Sequence, residues 1–263
     1  TLPGGARQAH DEKKKATPRI AIYPQQWEVD RGRYLSDPGL ERTLRLPAPP
    51  DRIYLPLSAF QGAIGPRDTA VFQERGVQVV AALPAITKGW SEEMVGSWAQ
   101  RAVAAGVAGF LAGTLGHIRA LLEFGIPVLG DRSLNIYNSC SVAEAAALGL
   151  AGVALSHELD LPAIRAIRPA GLELEVVVGG RVPLMVTEHC VTGSEAAATV
   201  DCRSCGRCGT GAYVLRDRKG AEFPLVSDPE SGRCLVLDRR SRDDSKRIPE
   251  LSAAGITTFR YYF

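Results

Sequence analysis

Eight short apolar runs recur along the chain, at residues 20–23, 52–55, 77–83, 109–113, 128–131, 153–156, 172–178 and 256–261. Most are separated by stretches with helical periodicity, near 67–75, 91–105, 115–124, 141–149, 161–167 and 243–254. Alternation of this kind restricts the fold sharply, because parallel strands need crossover connections and a helix is the usual one. Eight strands in 263 residues predict an α/β fold, a (β/α)8 TIM-like barrel. Local signals agree. Ser91 before Glu92 and Glu93 reads as a helix N-cap, and Ser141 with Glu144 reads as a capping box. Gly76, Gly106, Gly125 and Gly255 sit where helices close. On the seventh run Glu173 and Glu175 alternate with apolar neighbours, which puts both on one face, the barrel lumen.

The interval between the seventh and eighth runs breaks the pattern. Residues 186–244 lack a helix-length periodicity and carry a hairpin expected to turn at Lys219-Gly220. A connection of that length inside a compact domain needs something to hold it. Five of the six cysteines lie in this region, Cys190, Cys202, Cys205, Cys208 and Cys234. Disulfide scaffolds are small and secreted, and this chain fits neither description, so the clustering points to a metal. Soft thiolates at these spacings suit zinc or iron–sulfur, and spacing does not choose between them. Cys140, alone in Asn138-Ser-Cys140, is expected to be a packed thiol, and His189 is a ligand, a hydrogen-bond donor to a ligand or a surface residue. The domain expectation is a flexible lead-in over 1–17, a barrel over 18–263 and the cysteine-rich insertion at 186–244. The chain begins at Thr1 with a polar stretch and is expected to be a piece of a longer protein with further domains.

Barrel enzymes build their sites at the C-terminal ends of the strands. That rule selects Asn135 and Asn138 after the fifth run and Glu158, with Ser156 and His157, after the sixth. Asn135 and Asn138 are equally good turn and helix caps. Arg181 and Glu188 flank the start of the cysteine region. From Arg203 to Arg247 there are 11 Lys/Arg against 7 Asp/Glu, a local excess that suits phosphate contacts or a solvated surface. The net charge of +2 selects no partner. The absence of an 18-residue apolar run argues against a membrane-spanning helix, and with no signal-peptide pattern the expected location is the cytoplasm.

Four ordered phrases resemble the collagenase-like peptidase family U-32. They are Gly180-Arg-Val-Pro-Leu-Met185-Val-Thr-Glu-His-Cys190, Tyr213-Val-Leu-Arg-Asp217-Arg218-Lys-Gly220-Ala-Glu-Phe223-Pro224, Leu134-Asn135-Ile-Tyr-Asn138-Ser and Leu155-Ser156-His-Glu158-Leu. The likeness runs from about residue 18 to the end and is closest to the C-terminal barrel half of long members. It implies a four-cysteine [4Fe–4S] cluster on Cys190, Cys208, Cys234 and a fourth ligand, Cys205 or Cys202, with Cys205 preferred; zinc is the alternative. Members of this kind resemble oxygen-independent hydroxylases of tRNA, ribosomal RNA or the ubiquinone ring, with prephenate implicated as hydroxyl donor in some. The resemblance therefore implies RNA or a small aromatic substrate, oriented by Asn135, Asn138 and Glu158. Two other readings stand beside it, a collagenase-like peptidase and a non-catalytic RNA- or partner-binding half of a larger enzyme. Against proteolysis, Ser156 and His157 are adjacent and so point apart on a strand, and a ligated Cys190 cannot act as a thiolate nucleophile. A four-thiolate zinc site is closed and structural, not hydrolytic.

Overall fold

The computed structural model describes residues 18–23, 49–87, 89–191, 213–228 and 233–262. Within these the strands are β1 (Arg19–Tyr23), β2 (Arg52–Pro56), β3 (Gln78–Ala82), β4 (Gly109–Ala112), β5 (Val128–Gly130), β6 (Gly152–Ala154) and β7 (Glu173–Gly180). They continue with β8 (Pro183–Thr187), β9 (Tyr213–Arg216), β10 (Glu222–Asp228), β11 (Arg233–Leu237), β12 (Arg242–Asp243) and β13 (Thr258–Tyr262). Strands β1 to β7 pair in sequence order, all parallel, and β13 closes the ring between β7 and β1. The predicted eight-stranded barrel is there, with each apolar run on its strand.

Alternation along the strands divides the interior into two layers. On β3, Val79 and Ala81 face outward into the main core, where Phe72, Trp98 and Ile118 from the surrounding helices meet them. Val80 and Ala82 face the lumen with Ala21, Tyr54, Leu111 and Leu129. Around the ring lie α1 (Pro66–Gln73), α2 (Trp90–Ala104), α3 (Leu115–Leu122), α4 (Ser139–Ala147), α5 (Leu161–Ala166) and α6 (Ile248–Ala253). Two helix starts differ from expectation. Gly89, at φ +59°, turns the chain so that α2 begins at Trp90, before Ser91. For α4 the cap is Asn138, whose side chain accepts the Ser141 N–H at 2.9 Å, while Ser141 is the third helical residue and its hydroxyl accepts the Asn138 N–H at 3.2 Å.

β7 and β13 approach closely at the top of the barrel. A Cβ at Gly180, where φ is +88°, would lie 2.0 Å from the Tyr262 carbonyl oxygen, so only glycine allows that closure. Directly afterwards the chain leaves the barrel as β8 and enters a second, antiparallel sheet of order β8-β11-β10-β9. The expected hairpin is its β9–β10 edge. It turns at Gly220 (φ +79°), and the Asp217 carboxylate accepts the N–H groups of Lys219 and Ala221 at 2.8 and 2.9 Å. Strands β8 and β11 were not foreseen, and they extend the ordered insertion back to Pro183. β12 then pairs antiparallel with the end of β7 and returns the chain to α6.

Candidate functional site

The lumen is filled with charge. At its lower end Arg52 on β2 forms a two-pronged ion pair with Glu173 on β7, at 2.7 and 3.2 Å. Arg19 reaches the same carboxylate at 2.8 Å and the Thr258 hydroxyl donates to it at 2.7 Å. One layer higher, Arg260 on β13 is 0% exposed and bonds both Asp131, at 2.5 Å, and Glu175. The Tyr54 hydroxyl donates to Glu175 at 2.5 Å, and the Arg260 guanidinium lies 4.5 Å from the centre of the Tyr54 ring. Buried charges survive only when paired in this way. Burial raises the Asp131 pKa, but the charges of Arg260 and Arg132 outweigh it and hold the carboxyl below its usual value. Glu173 behaves likewise, with Arg52 overcoming the effect of burial. The Tyr54 hydroxyl is pushed up, first by burial and then by Glu175. Glu173 and Glu175 thus face the lumen as their alternation implies. Among the described residues the network fills the lumen, which leaves the strand ends at the mouth as the open face of the barrel.

At the mouth, β5 is followed by Asp131 and Arg132, and the Arg132 Nε–H donates to the Tyr262 hydroxyl at 3.1 Å. Asn135 adopts a left-handed conformation (φ +56°) that ends the turn over Arg132–Leu134, and it is exposed. The Tyr137 hydroxyl donates to the exposed Glu158 carboxylate, joining the connections after β5 and β6. The sequence-predicted trio therefore occupies one rim. Asn135 and Asn138 also carry local structural duties, the second as the α4 cap. Ser156 is buried, and its hydroxyl accepts the Glu158 N–H at 3.5 Å. Burial, Arg132 and Arg242 all lower the pKa of half-buried His157. Arg242 on β12 folds over this corner and donates to the carbonyls of Val177 and His157, at 3.4 and 3.2 Å. Together with Asp244 and Arg247 it lines a cleft beside Ser156 and His157. Arg242 and Tyr262 were missed in the sequence, because each reaches the rim through pairings over long sequence separations.

The small sheet brings two cysteines to one end. In the β8–β11 ladder Cys234 lies opposite Thr187 and is 0% exposed. After Thr187 the strand bends, its hydroxyl accepting the His189 N–H at 3.1 Å, and Cys190 follows, partly exposed. Three residues from Thr187 at about 3.3 Å each put Cys190 within about 10 Å of the Cys234 position along the strand. The Arg233 side chain donates to the Ile86 carbonyl, in the connection after β3, at 2.7 Å and to Glu188 at 3.2 Å. This end of the sheet is thereby fastened to the barrel mouth. Cys202, Cys205 and Cys208 lie outside the described residues, and among the described residues no three His, Cys, Asp or Glu side chains converge on a metal position. Cys140 is exposed on the first turn of α4, not packed as expected. His189 is exposed as well.

The sequence profile of Peptidase family U32 matches residues 66–261, well over half of the chain. The chain is a member of peptidase family U32. Among solved structures, the U32 peptidase Mk0906 superposes on this U32 chain with a TM-score of 0.54 at 12% identity, covering 100% of this chain and 96% of that one. The putative copper homeostasis protein CutC from Streptococcus agalactiae superposes with a TM-score of 0.50 at 11% identity, covering 92% and 98%. At such identities the likeness is one of fold. No curated protein sequence matches the chain. Among the described residues of this U32 protein no helix is long and apolar enough to cross a membrane. Chemically, its mouth offers arginines and a histidine as hydrogen-bond donors and a Glu–Tyr pair at the rim, and the insertion brings the Cys190 and Cys234 thiols.

Proposed function

We propose that this U32 protein is an iron–sulfur-dependent, oxygen-independent hydroxylase-type enzyme acting on RNA or a small aromatic substrate. The observation that carries the reading is the β8–β11 pairing, which brings Cys190 and Cys234 to the end of the sheet fastened at the barrel mouth. The donors fit a [4Fe–4S] cluster. Thiolates are its natural ligands, and the buried Cys234 sits on a strand with a fixed register. Cys190, Cys205, Cys208 and Cys234 would hold the cluster, which when bound supplies one-electron chemistry or an iron that contacts substrate.

The chain's own residues supply the rest. The plugged lumen keeps the substrate at the rim. Arg132, with its Nε held by Tyr262, and His157 present hydrogen-bond donors to anionic groups there. Asn138 spends its side-chain oxygen on the α4 cap but keeps its NH2 donors, and with Asn135 it orients the substrate. Glu158, fixed by Tyr137, accepts a proton or a hydroxyl hydrogen bond. The basic insertion favours an RNA backbone.

Anaerobic purification followed by iron, sulfide and visible-absorption analysis tests the cofactor. Near-stoichiometric iron and sulfide with a brown chromophore are expected, and a colourless protein carrying zinc would overturn the reading. Mass spectrometry of RNA from a deletion strain, set beside a peptide-hydrolysis assay, tests the substrate. Loss of a hydroxylated nucleoside is expected; peptide cleavage by the purified protein would place it among the hydrolases instead.

A further inference from the structure

We infer that Arg233 is a positioning residue for the cluster proposed above, clamping both described cysteine-bearing segments to the barrel mouth and setting the charge beside them. Four facts converge on it. Arg233 is only 8% exposed, an unusual burial for an arginine. Its cross-strand neighbour follows from the register: with Cys234 opposite Thr187, Arg233 stands across from Glu188, and the two side chains meet at 3.2 Å. Glu188 is two residues before Cys190 and Arg233 is one residue before Cys234, so this ion pair ties together the two backbone segments that carry the thiols, from the face of β11 opposite the Cys234 side chain. Finally, the other arm of the guanidinium donates to the Ile86 carbonyl at 2.7 Å, on the connection after β3. Arginine's planar fork holds two acceptors in different elements in a fixed geometry while keeping its charge, where lysine offers a flexible point charge.

The consequence is both geometric and electrostatic. Four ligands converge only if the segments bearing them are held in register, and partners beside metal ligands typically govern affinity by 10- to 100-fold. A guanidinium one residue from a ligand also lies within about one Debye length, ~10 Å, of its sulfur. It favours the reduced, more negative cluster.

The test uses the full chain purified anaerobically, with three variants. Arg233→Gln removes charge and fork, Arg233→Lys keeps charge without the fork, and Glu188→Gln removes the exposed partner and leaves the buried arginine in place. Arg216→Gln, which breaks the exposed Arg216–Glu222 pair of the same sheet, controls for general loosening. Iron retained against a chelator and the cluster's midpoint potential are read on each protein, with circular dichroism to confirm folding. Arg233→Gln is expected to lose iron roughly 10- to 100-fold faster and to shift the potential downward. Arg233→Lys should lose iron faster while keeping the wild-type potential, Glu188→Gln should show a smaller loss of retention, and Arg216→Gln should match wild type. Iron-loaded wild type with Arg233→Gln unchanged in both readouts overturns the clamp alone. A wild type without iron overturns the clamp and the cluster together.

Discussion

Arg260 holds two carboxylates, and its loss would strand both. Replacing it with methionine removes the cation bonded to both Asp131 and Glu175, leaving only the more distant Arg52 and Arg132, and breaking a buried pair in this way costs about 3–5 kcal/mol. Urea unfolding followed by circular dichroism should show that loss, whereas Arg165→Met, which breaks an exposed pair with Glu250, should fall within about 1 kcal/mol of wild type. A pH dependence follows from the same network. Asp131 and Glu173 have folded pKa values below their ordinary ones, so the unfolded chain takes up protons more readily. Their stabilisation is complete above the unfolded carboxylate range, about 4, and is lost as the pH falls through the folded values. Unfolding midpoints in urea should therefore decline below about pH 4, and Glu173→Gln should flatten that decline. At this scale only half the network was readable. Glu173 and Glu175 show themselves by alternation, but Arg52 and Arg260 meet their partners across 121 and 129 residues, and nothing local marks them.

For the elements, legibility depended on periodicity. Parallel barrel strands are buried on both faces and so stand out as unbroken apolar runs, which is why all eight were found. β8 and β11 were hidden for the opposite reason. Each has exposed or half-exposed positions, and Leu184 and Met185 are open to solvent, so neither a run nor a clean alternation emerges. The convergence of Cys190 and Cys234 depends on their ladder and was equally out of reach. Helix caps were misplaced by two or three residues because Asn138 and Ser141 both suit a cap, and only the backbone decides. Asn138 offers a direct check on its two roles. Asn138→Ala should cost about 1 kcal/mol in a thermal or urea melt. Asn138→Ser preserves capping and should restore stability, so a fall in kcat/KM that persists in the serine variant belongs to the lost amide and its contact with substrate.

At the scale of the fold, chain order and spatial order agree until β7, where a small sheet is inserted at the mouth ahead of α6 and β13. The insertion is the one large departure from a regular barrel among the described residues. It meets the mouth at two places, through Arg233 on the Ile86 carbonyl and through Arg242 on the His157 carbonyl. The packed lumen has a kinetic consequence. Among the described residues Tyr54, Glu175 and Arg260 fill the interior and leave no passage through the barrel. On the function proposed above, a substrate bound at the rim would leave as product by the same side. Product and substrate then compete for one doorway. Initial-rate measurements with added product should show competitive inhibition against the substrate that occupies this rim, raising its apparent KM and leaving kcat unchanged. A purely noncompetitive pattern would mean that product and this substrate bind different forms of the enzyme, and a shared doorway would then not govern the kinetics.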